Sequence, residues 1–206
     1  MSTDAEIVPH PADTEWHRRQ PVGERLDASA MTEGLPWAFD EVSMRPLEEF
    51  LVPEAPRGGE VDPSTCRTCE PHPNVIWQDD LWQVSAGWEA GGLPFLGAIA
   101  PREHWLLENA PHDVLAAYGP LMQRISNAVK RIPGVARCHF ARWNDGSAHL
   151  HLWALARPAG MMQGRGAGLA FWDEILPPMP EEMAREHIDI VAHALAADGG
   201  EAYPNR

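Results

Sequence analysis

Hydrophobic residues alternate with histidine, tryptophan and arginine along one stretch, NDGSAHLHLWALARP, at residues 144–158. In an extended strand, successive side chains point to opposite faces of the sheet. The leucines and alanines of this stretch therefore share one face, and His149, His151 and Trp153 share the other. Two neighbouring imidazoles are poor core material, because each ring carries a donor and an acceptor that need partners. The pattern predicts a strand that begins at His149, with one face open to solvent or to a ligand.

Similar patterns predict four more strands and two helices. Alternating or buried runs mark the strands, two of which form a hairpin around Asp79 and Asp80, and apolar residues at helical spacing mark the helices. Asn109 and Gly199 are candidate caps of the first and second helix, and Pro120 is a candidate kink. The predicted hairpin spans residues 74–87. The other predicted strands span residues 94–101, 136–143 and 148–156, and a turn at 144–147 joins the last two. The predicted helices span residues 110–134 and 180–200. This succession predicts an α+β domain with a mainly antiparallel sheet of about five strands and two helices.

Residues 1–62 lack this periodicity and are rich in proline, glutamate and aspartate. We expect an N-terminal arm or linker there, partly irregular, followed by a domain at residues 63–206 that includes the C-terminal helix. The sequence is compatible with two alternatives for the arm: it is mobile, or it packs on the domain or on a partner.

Composition narrows the classes of partner. The 206 residues are 44% hydrophobic, enough for a core, and the formal net charge is −14. Non-specific binding to nucleic acid or to an anionic membrane needs basic patches, so we expect neither partner. The sequence has no apolar run of the roughly 18 residues that a membrane span needs, and its first residues lack the apolar segment of a secretory signal. We therefore expect a cytoplasmic protein.

Two of the three cysteines are spaced as in a metal site. Cys66 and Cys69 form a Cys-x-x-Cys pair, which in a reducing compartment binds metal or does redox work. The pair follows a linker, a context that does not fit a redox motif. His104 stands just after the end of a predicted strand, and His149 begins the strand of paired imidazoles. These two histidines and the two thiolates make a Cys₂His₂ set, which is typical of a closed structural zinc site.

These residues, in this order, resemble the histidine triad superfamily of nucleotide hydrolases and transferases. The resemblance covers about residues 66–157: the Cys-x-x-Cys pair, the hairpin, a strand ending in PREH, and His-x-His-x-Trp on the last strand. The family motif is His-φ-His-φ-His-φ-φ, so Trp153 occupies the position of the third histidine. The resemblance implies a histidine-triad-like fold. Members of the branch that contains galactose-1-phosphate uridylyltransferase hold zinc at the matching positions. Resemblance to that branch therefore also implies zinc on Cys66, Cys69, His104 and His149.

The resemblance further implies roles for single residues. The middle histidine, here His151, is the nucleophile that attacks an α-phosphate and forms a covalent nucleotidyl-histidine. Asn144 and Ser147 would bind phosphate oxygens or would merely form the turn, and Arg157 would bind phosphate or form a surface ion pair. Trp153 would pack on the base or sugar of the substrate or belong to the core. Because tryptophan cannot shuttle a proton, its presence puts fast nucleotide hydrolysis in question.

Three functions are compatible with these motifs. The first is a nucleotidyl hydrolase or transferase with structural zinc, acting on a phosphoanhydride, phosphoester or phosphoramidate of a nucleotide or nucleotide conjugate. The second is a zinc protein of the same fold that binds a nucleotide or a partner without catalysis. The third is a catalytic zinc hydrolase with His151 as a ligand, which the two cysteines already present argue against. The resemblance also implies a homodimer paired through the helix at 110–134, unless the arm covers that surface.

Overall fold

A computed structural model describes residues 53–70, 74–87 and 91–203 of the chain. The chain divides into two compact units, Met1–Glu33 with Trp37–Pro56 and Gly34–Pro36 with Arg57–Arg206. Only residues 53–56 of the first unit are described, so most of the predicted arm lies outside the described residues. The division between residues 62 and 63 stays a prediction. All candidate site residues belong to the second unit.

The second unit is built on a six-stranded antiparallel sheet. Its strands are β1 (Val75–Gln78), β2 (Trp82–Ser85), β3 (Leu96–Pro101), β4 (Val135–Ala141), β5 (Leu152–Pro158) and β6 (Glu201–Ala202). Their order across the sheet is β4-β5-β3-β2-β1-β6. The predicted hairpin of β1 and β2 is present. Asp79 closes its turn, because Oδ1 of Asp79 accepts hydrogen bonds from the backbone N–H groups of Leu81 and Trp82.

Two long helices pack on one face of this sheet. The long helices are α1 (His112–Val129) and α3 (Glu181–Ala196), and a third, short helix, α2 (Leu169–Ile175), lies between them in the chain. Helices α1 and α3 contact each other, and Ile125 and Leu195 join Val84, Ile99 and Leu152 of the strands in one buried core. Burial of such side chains contributes roughly 1.5–3 kcal/mol each. The predicted α+β fold with a mainly antiparallel sheet is confirmed, and the helices leave the opposite sheet face to the site.

The connection between the last two predicted strands differs from the prediction. Strand β5 begins at Leu152, so His149 and His151 precede the strand and do not lie on it. The predicted tight turn at 144–147 is part of a longer connection that spans residues 142–151. The prediction of a strand starting at His149 was therefore wrong.

Hydrogen bonds to other segments explain this shorter strand. The backbone N–H of Leu150 donates to the carbonyl of Trp105 at 2.7 Å, and the backbone N–H of Ala148 donates to the carbonyl of Gly58 at 3.0 Å. Backbone groups that are paired in this way are not available to a neighbouring strand of the sheet. The segment around His149 is thus held between two loops at the end of the sheet.

The helix ends also differ from the sequence expectations. The N-cap of α1 is Pro111 and not Asn109, whose Oδ1 accepts a backbone hydrogen bond within its own loop. Pro120 lies inside α1 without dividing it. The C-cap of α3 is Ala197, and Gly199 follows it with a φ of 111°.

Two short elements, α2 and β6, were not predicted. Strand β6 extends the sheet beside β1, and α2 packs near the end of β5 on the face opposite the long helices. Within the described part of the chain, no helix has the length and apolar character that crossing a membrane requires.

Candidate functional site

The four predicted metal ligands lie together. One donor atom from each of Cys66, Cys69, His104 and His149 lies within 4.8 Å of the others. Nδ1 of His149 is 3.5 Å from Sγ of Cys66 and 3.4 Å from Sγ of Cys69. Nδ1 of His104 is 3.3 Å from Sγ of Cys69. Because zinc bonds of ordinary length at a tetrahedral angle hold sulfur and nitrogen ligands about 3.6 Å apart, this cluster can hold a metal ion.

Backbone carbonyls orient both imidazoles toward the thiols. Nε2–H of His149 donates to the carbonyl of Pro101 at 3.0 Å. Nε2–H of His104 donates to the carbonyl of Gly59 at 3.0 Å. A carbonyl only accepts, so each ring carries its proton on Nε2 and keeps the Nδ1 lone pair for a cation. Contacts of this kind fix the tautomer and the direction of metal-binding histidines.

Burial and charge at the cluster also suit a cation. Cys66 and His149 are almost fully buried. Burial is the main reason that the pKa of His149 is lowered to about 4, which keeps its imidazole neutral at pH 7. Desolvation, followed by the hydrogen bond with the neighbouring Cys66 thiol, raises the pKa of Cys69 to about 11. A bound divalent cation relieves this penalty by stabilising thiolates, and none of the three cysteines is in a disulfide.

The segment Arg57–Glu60 supports the cluster, and sequence analysis had assigned it to the arm. The carbonyl of Gly59 accepts a hydrogen bond from His104. The backbone φ of Gly59 is +78°. A Cβ atom at this position would lie 2.7 Å from Cε1 of His104 and 2.8 Å from Cβ of Cys66. Only glycine therefore fits behind the two ligands. The Gly58-Gly59 pair was a visible signal of a close backbone approach, but its partners are distant in sequence.

His151 lines a cleft of about 720 Å³ on the sheet face opposite the helical core. Its floor contains Ala98 and Ala100 of β3, which pair with Ser85 and Gln83 of β2. The small alanine side chains leave space above the sheet. Sequence reasoning missed this floor, although Gln83 and Ser85 alternate with buried residues of β2, as expected of a polar sheet face.

The imidazole of His151 is fixed from one side. Its Nδ1–H donates to the carbonyl of His149 at 2.7 Å, so Nε2 keeps its lone pair. Because His149 also belongs to the cluster that could hold a metal ion, the same short segment connects a candidate metal ligand to the predicted nucleophile. This arrangement leaves one ring nitrogen of His151 for chemistry in the cleft.

Asn144 and Ser147 lie in the same cleft as His151. Oδ1 of Asn144 and Oγ of Ser147 are both buried and have no hydrogen-bond partner among the described residues. Asn144 also has a φ of 63°, which is uncommon outside glycine. Buried polar atoms without partners are rare in folded proteins, and they occur where a ligand or water completes them.

The other two predicted substrate residues lie in different surroundings. Trp153 lines the cleft and also packs against the apolar cluster of Leu155 and Leu169, so it contacts both. Arg157 is not among the residues that line the cleft. Its guanidinium donates to the backbone carbonyls of Pro158 and Met161 at 3.3 and 3.1 Å. The structure therefore brings together His151, Asn144, Ser147 and Trp153, and places Arg157 elsewhere.

Comparisons with known proteins give matches only among solved structures. No family model matches the sequence, and no curated protein matches it. A zinc-bound histidine triad family protein from Mycobacterium smegmatis is 20% identical over 65% of this chain and 95% of its own, with a TM-score of 0.47. A HIT-like protein involved in cell-cycle regulation from Bartonella henselae is 18% identical over 60% of this chain and 88% of its own, with a TM-score of 0.44.

Uridylyltransferase structures match as well. One is 21% identical over 65% of this chain and 46% of its own, with a TM-score of 0.45. The matched region thus spans about half the length of the uridylyltransferases. The matched structures come from the groups that the sequence motif indicated, and this chain resembles histidine triad proteins both in that motif and in the solved structures that it matches.

Proposed function

We propose that this chain is a nucleotidyl hydrolase or transferase that forms a covalent intermediate on His151. The single observation that carries the proposal is the placement of His151. Its Nδ1–H donates to the carbonyl of His149 at 2.7 Å, and the ring lines a cleft with two buried oxygens that have no hydrogen-bond partner in the described part of the chain. A neutral imidazole with one fixed nitrogen is a competent nucleophile through the other.

The reaction runs in two displacements. The Nε2 lone pair of His151 attacks the α-phosphorus of a nucleotide conjugate, a P–N bond forms, and the bond to the leaving group breaks with its electron pair. The oxygen or nitrogen of water or of an acceptor then attacks phosphorus and loses its proton to solvent, while the P–N bond breaks with its electron pair and restores the neutral imidazole. Asn144 and Ser147 bind the phosphate or the sugar beside it. The indole N–H of Trp153 is too weakly acidic to protonate a leaving group, so solvent supplies that proton in the first displacement.

Zinc has a structural role in this proposal. Cys66, Cys69, His104 and His149 would hold it as a closed four-ligand site with no open position for substrate. Bound zinc would join the Cys-x-x-Cys turn to the segment that carries His151. Its contribution is folding energy and positioning, while the bond-making step belongs to His151.

The test is detection of the adduct. The protein is incubated with adenosine 5′-phosphoramidate and with uridine diphosphate glucose, quenched, and analysed by intact-mass spectrometry and phosphorus NMR. We expect a nucleotidyl group on wild-type protein and none on His151→Ala, with equal zinc content in both. Turnover at the same rate by both proteins would contradict the covalent mechanism. Nucleotide binding without adduct or turnover would instead support a non-catalytic binding protein, which the tryptophan at position 153 favours.

A further inference from the structure

The loop between the two cysteines forms one wall of the His151 cleft. Arg67, Thr68 and Glu70 line that wall. A single 3₁₀ turn, Arg67–Cys69, shapes the loop. The backbone N–H of Cys69 donates to the carbonyl of Cys66 at 3.1 Å, and that of Glu70 donates to the carbonyl of Arg67 at 3.3 Å. The residues that would hold the metal therefore also determine where Arg67 stands.

Arg67 is the one positively charged side chain among the described residues that line the cleft. Its guanidinium has no hydrogen bond or ion pair with another described residue. By contrast, Arg157, which the sequence had suggested for this role, donates to two backbone carbonyls. Arginine binds phosphate through two parallel N–H groups, and such charge-assisted bonds are about twice as strong as neutral ones.

We infer that Arg67 binds the phosphate of the substrate, and that the cleft selects ligands with one phosphate over polyphosphates. The selectivity follows from charge. Glu70 and Asp145 also line the cleft, so the residues that line it carry one positive and two negative charges, a formal sum of −1. Arg67 can match one phosphate, whereas each further phosphate adds negative charge to a cleft whose lining already contains two carboxylates. The inference rests on the proposed function, because it assumes that phosphate binds beside His151.

The experiment measures binding of adenosine 5′-monophosphate, diphosphate and triphosphate by calorimetry, without magnesium, to the zinc-loaded full chain. The variants are Arg67→Gln, Arg67→Lys and Glu70→Gln. Arg131→Gln is the matched control, because Arg131 is an exposed arginine outside the cleft. Zinc content is determined for every variant, since it reports whether the Cys-x-x-Cys turn is intact.

We expect wild type to bind the monophosphate at least as tightly as the triphosphate. Arg67→Gln should weaken monophosphate binding about tenfold to a hundredfold, as loss of a charged hydrogen bond does. In Arg67→Gln the affinity for the monophosphate should also depend less on salt concentration than in wild type. Arg131→Gln should behave as wild type in both respects. Arg67→Lys should recover part of the affinity, because it keeps the charge and loses the planar fork. Glu70→Gln should improve triphosphate binding more than monophosphate binding.

Two results would overturn the inference. One is monophosphate affinity of Arg67→Gln within twofold of wild type, and the other is triphosphate binding to wild type tenfold tighter than monophosphate binding. If either result occurs while the His151 adduct still forms, the inferred phosphate-binding role of Arg67 is wrong and the proposed function is still supported. If Arg67→Gln weakens binding but no adduct forms on any substrate, the phosphate site stands and the covalent mechanism fails.

Discussion

Substitution of Gly59 by alanine tests how the candidate metal cluster is supported. The new Cβ atom would lie 2.7 Å from Cε1 of His104 and 2.8 Å from Cβ of Cys66. Carbon atoms in ordinary contact are about 3.5–4.0 Å apart, so both ligands must shift by roughly 0.7 Å or more. Metal–ligand distances tolerate only about 0.2 Å. The substitution therefore disturbs two of the four ligands at once, from a residue that binds no metal itself.

The expected magnitude has two parts. A left-handed backbone disfavours alanine by roughly 1–2 kcal/mol. Loss of a hydrogen bond that orients a metal-binding histidine, here the bond between the Gly59 carbonyl and His104, weakens metal binding about 10–100-fold. This factor corresponds to about 1.4–2.8 kcal/mol. Together these lower the free energy of unfolding of the zinc-loaded protein by about 2–5 kcal/mol.

Gly160→Ala is the matched control for this experiment. The φ of Gly160 is +77°, against +78° for Gly59, and a Cβ atom there would meet no heavy atom within 4 Å. The assays are denaturant unfolding and zinc competition with a chromophoric chelator. We expect Gly160→Ala to lose only the backbone contribution and to bind zinc as wild type does. If Gly59→Ala unfolds like Gly160→Ala and binds zinc with wild-type affinity, the supporting role of Gly59 is refuted.

Two further predictions concern the sheet face that carries the cleft. Asp173 is buried, its Oδ1 accepts a hydrogen bond from the backbone N–H of Leu93, and burial raises its pKa above 3.8. Because the pKa of Asp173 is higher in the folded than in the unfolded protein, the protonated carboxyl stabilises the fold at low pH. This stabilisation is lost as the pH rises through the pKa that Asp173 has in the folded protein. Asp173→Asn should therefore unfold at higher denaturant than wild type at pH 7, with the difference shrinking toward pH 3.8; an unchanged difference across this range would contradict the assignment. Trp153→His should lower the free energy of unfolding by about 1–3 kcal/mol through lost packing against the apolar cluster that contains Leu155 and Leu169. It should also speed turnover of substrates with poor leaving groups more than of p-nitrophenyl esters, and equal acceleration of both would argue against a proton-donor role.

Local spacing determined much of the candidate metal site and of the fold. Cys66 and Cys69 are three residues apart, which by itself sets both thiols on one turn. The alternating and helical periods likewise identified five strands and the two long helices, because these periods follow from backbone geometry within each element. The place of His104 just after a predicted strand, and the places of His149 and His151 in the motif, pointed to these three as further candidate site residues.

Only the tertiary structure decided which distant groups complete the site. The contacts of Gly59 with His104 and of Gly58 with Ala148 join segments far apart in the chain, and no local period encodes such a contact. The contact of Gly58 with Ala148, together with that of Trp105 with Leu150, also makes β5 begin only at Leu152, so that His149 and His151 precede the strand.

The choice of arginine shows the same limit. The sequence offered Arg157 because of its place after the motif, but its guanidinium reaches carbonyls of its own loop. Arg67 lines the cleft because the turn between the cysteines packs beside the segment of His151. Sequence spacing determines the direction of a side chain within its own element, whereas the surface that it faces depends on how elements pack together.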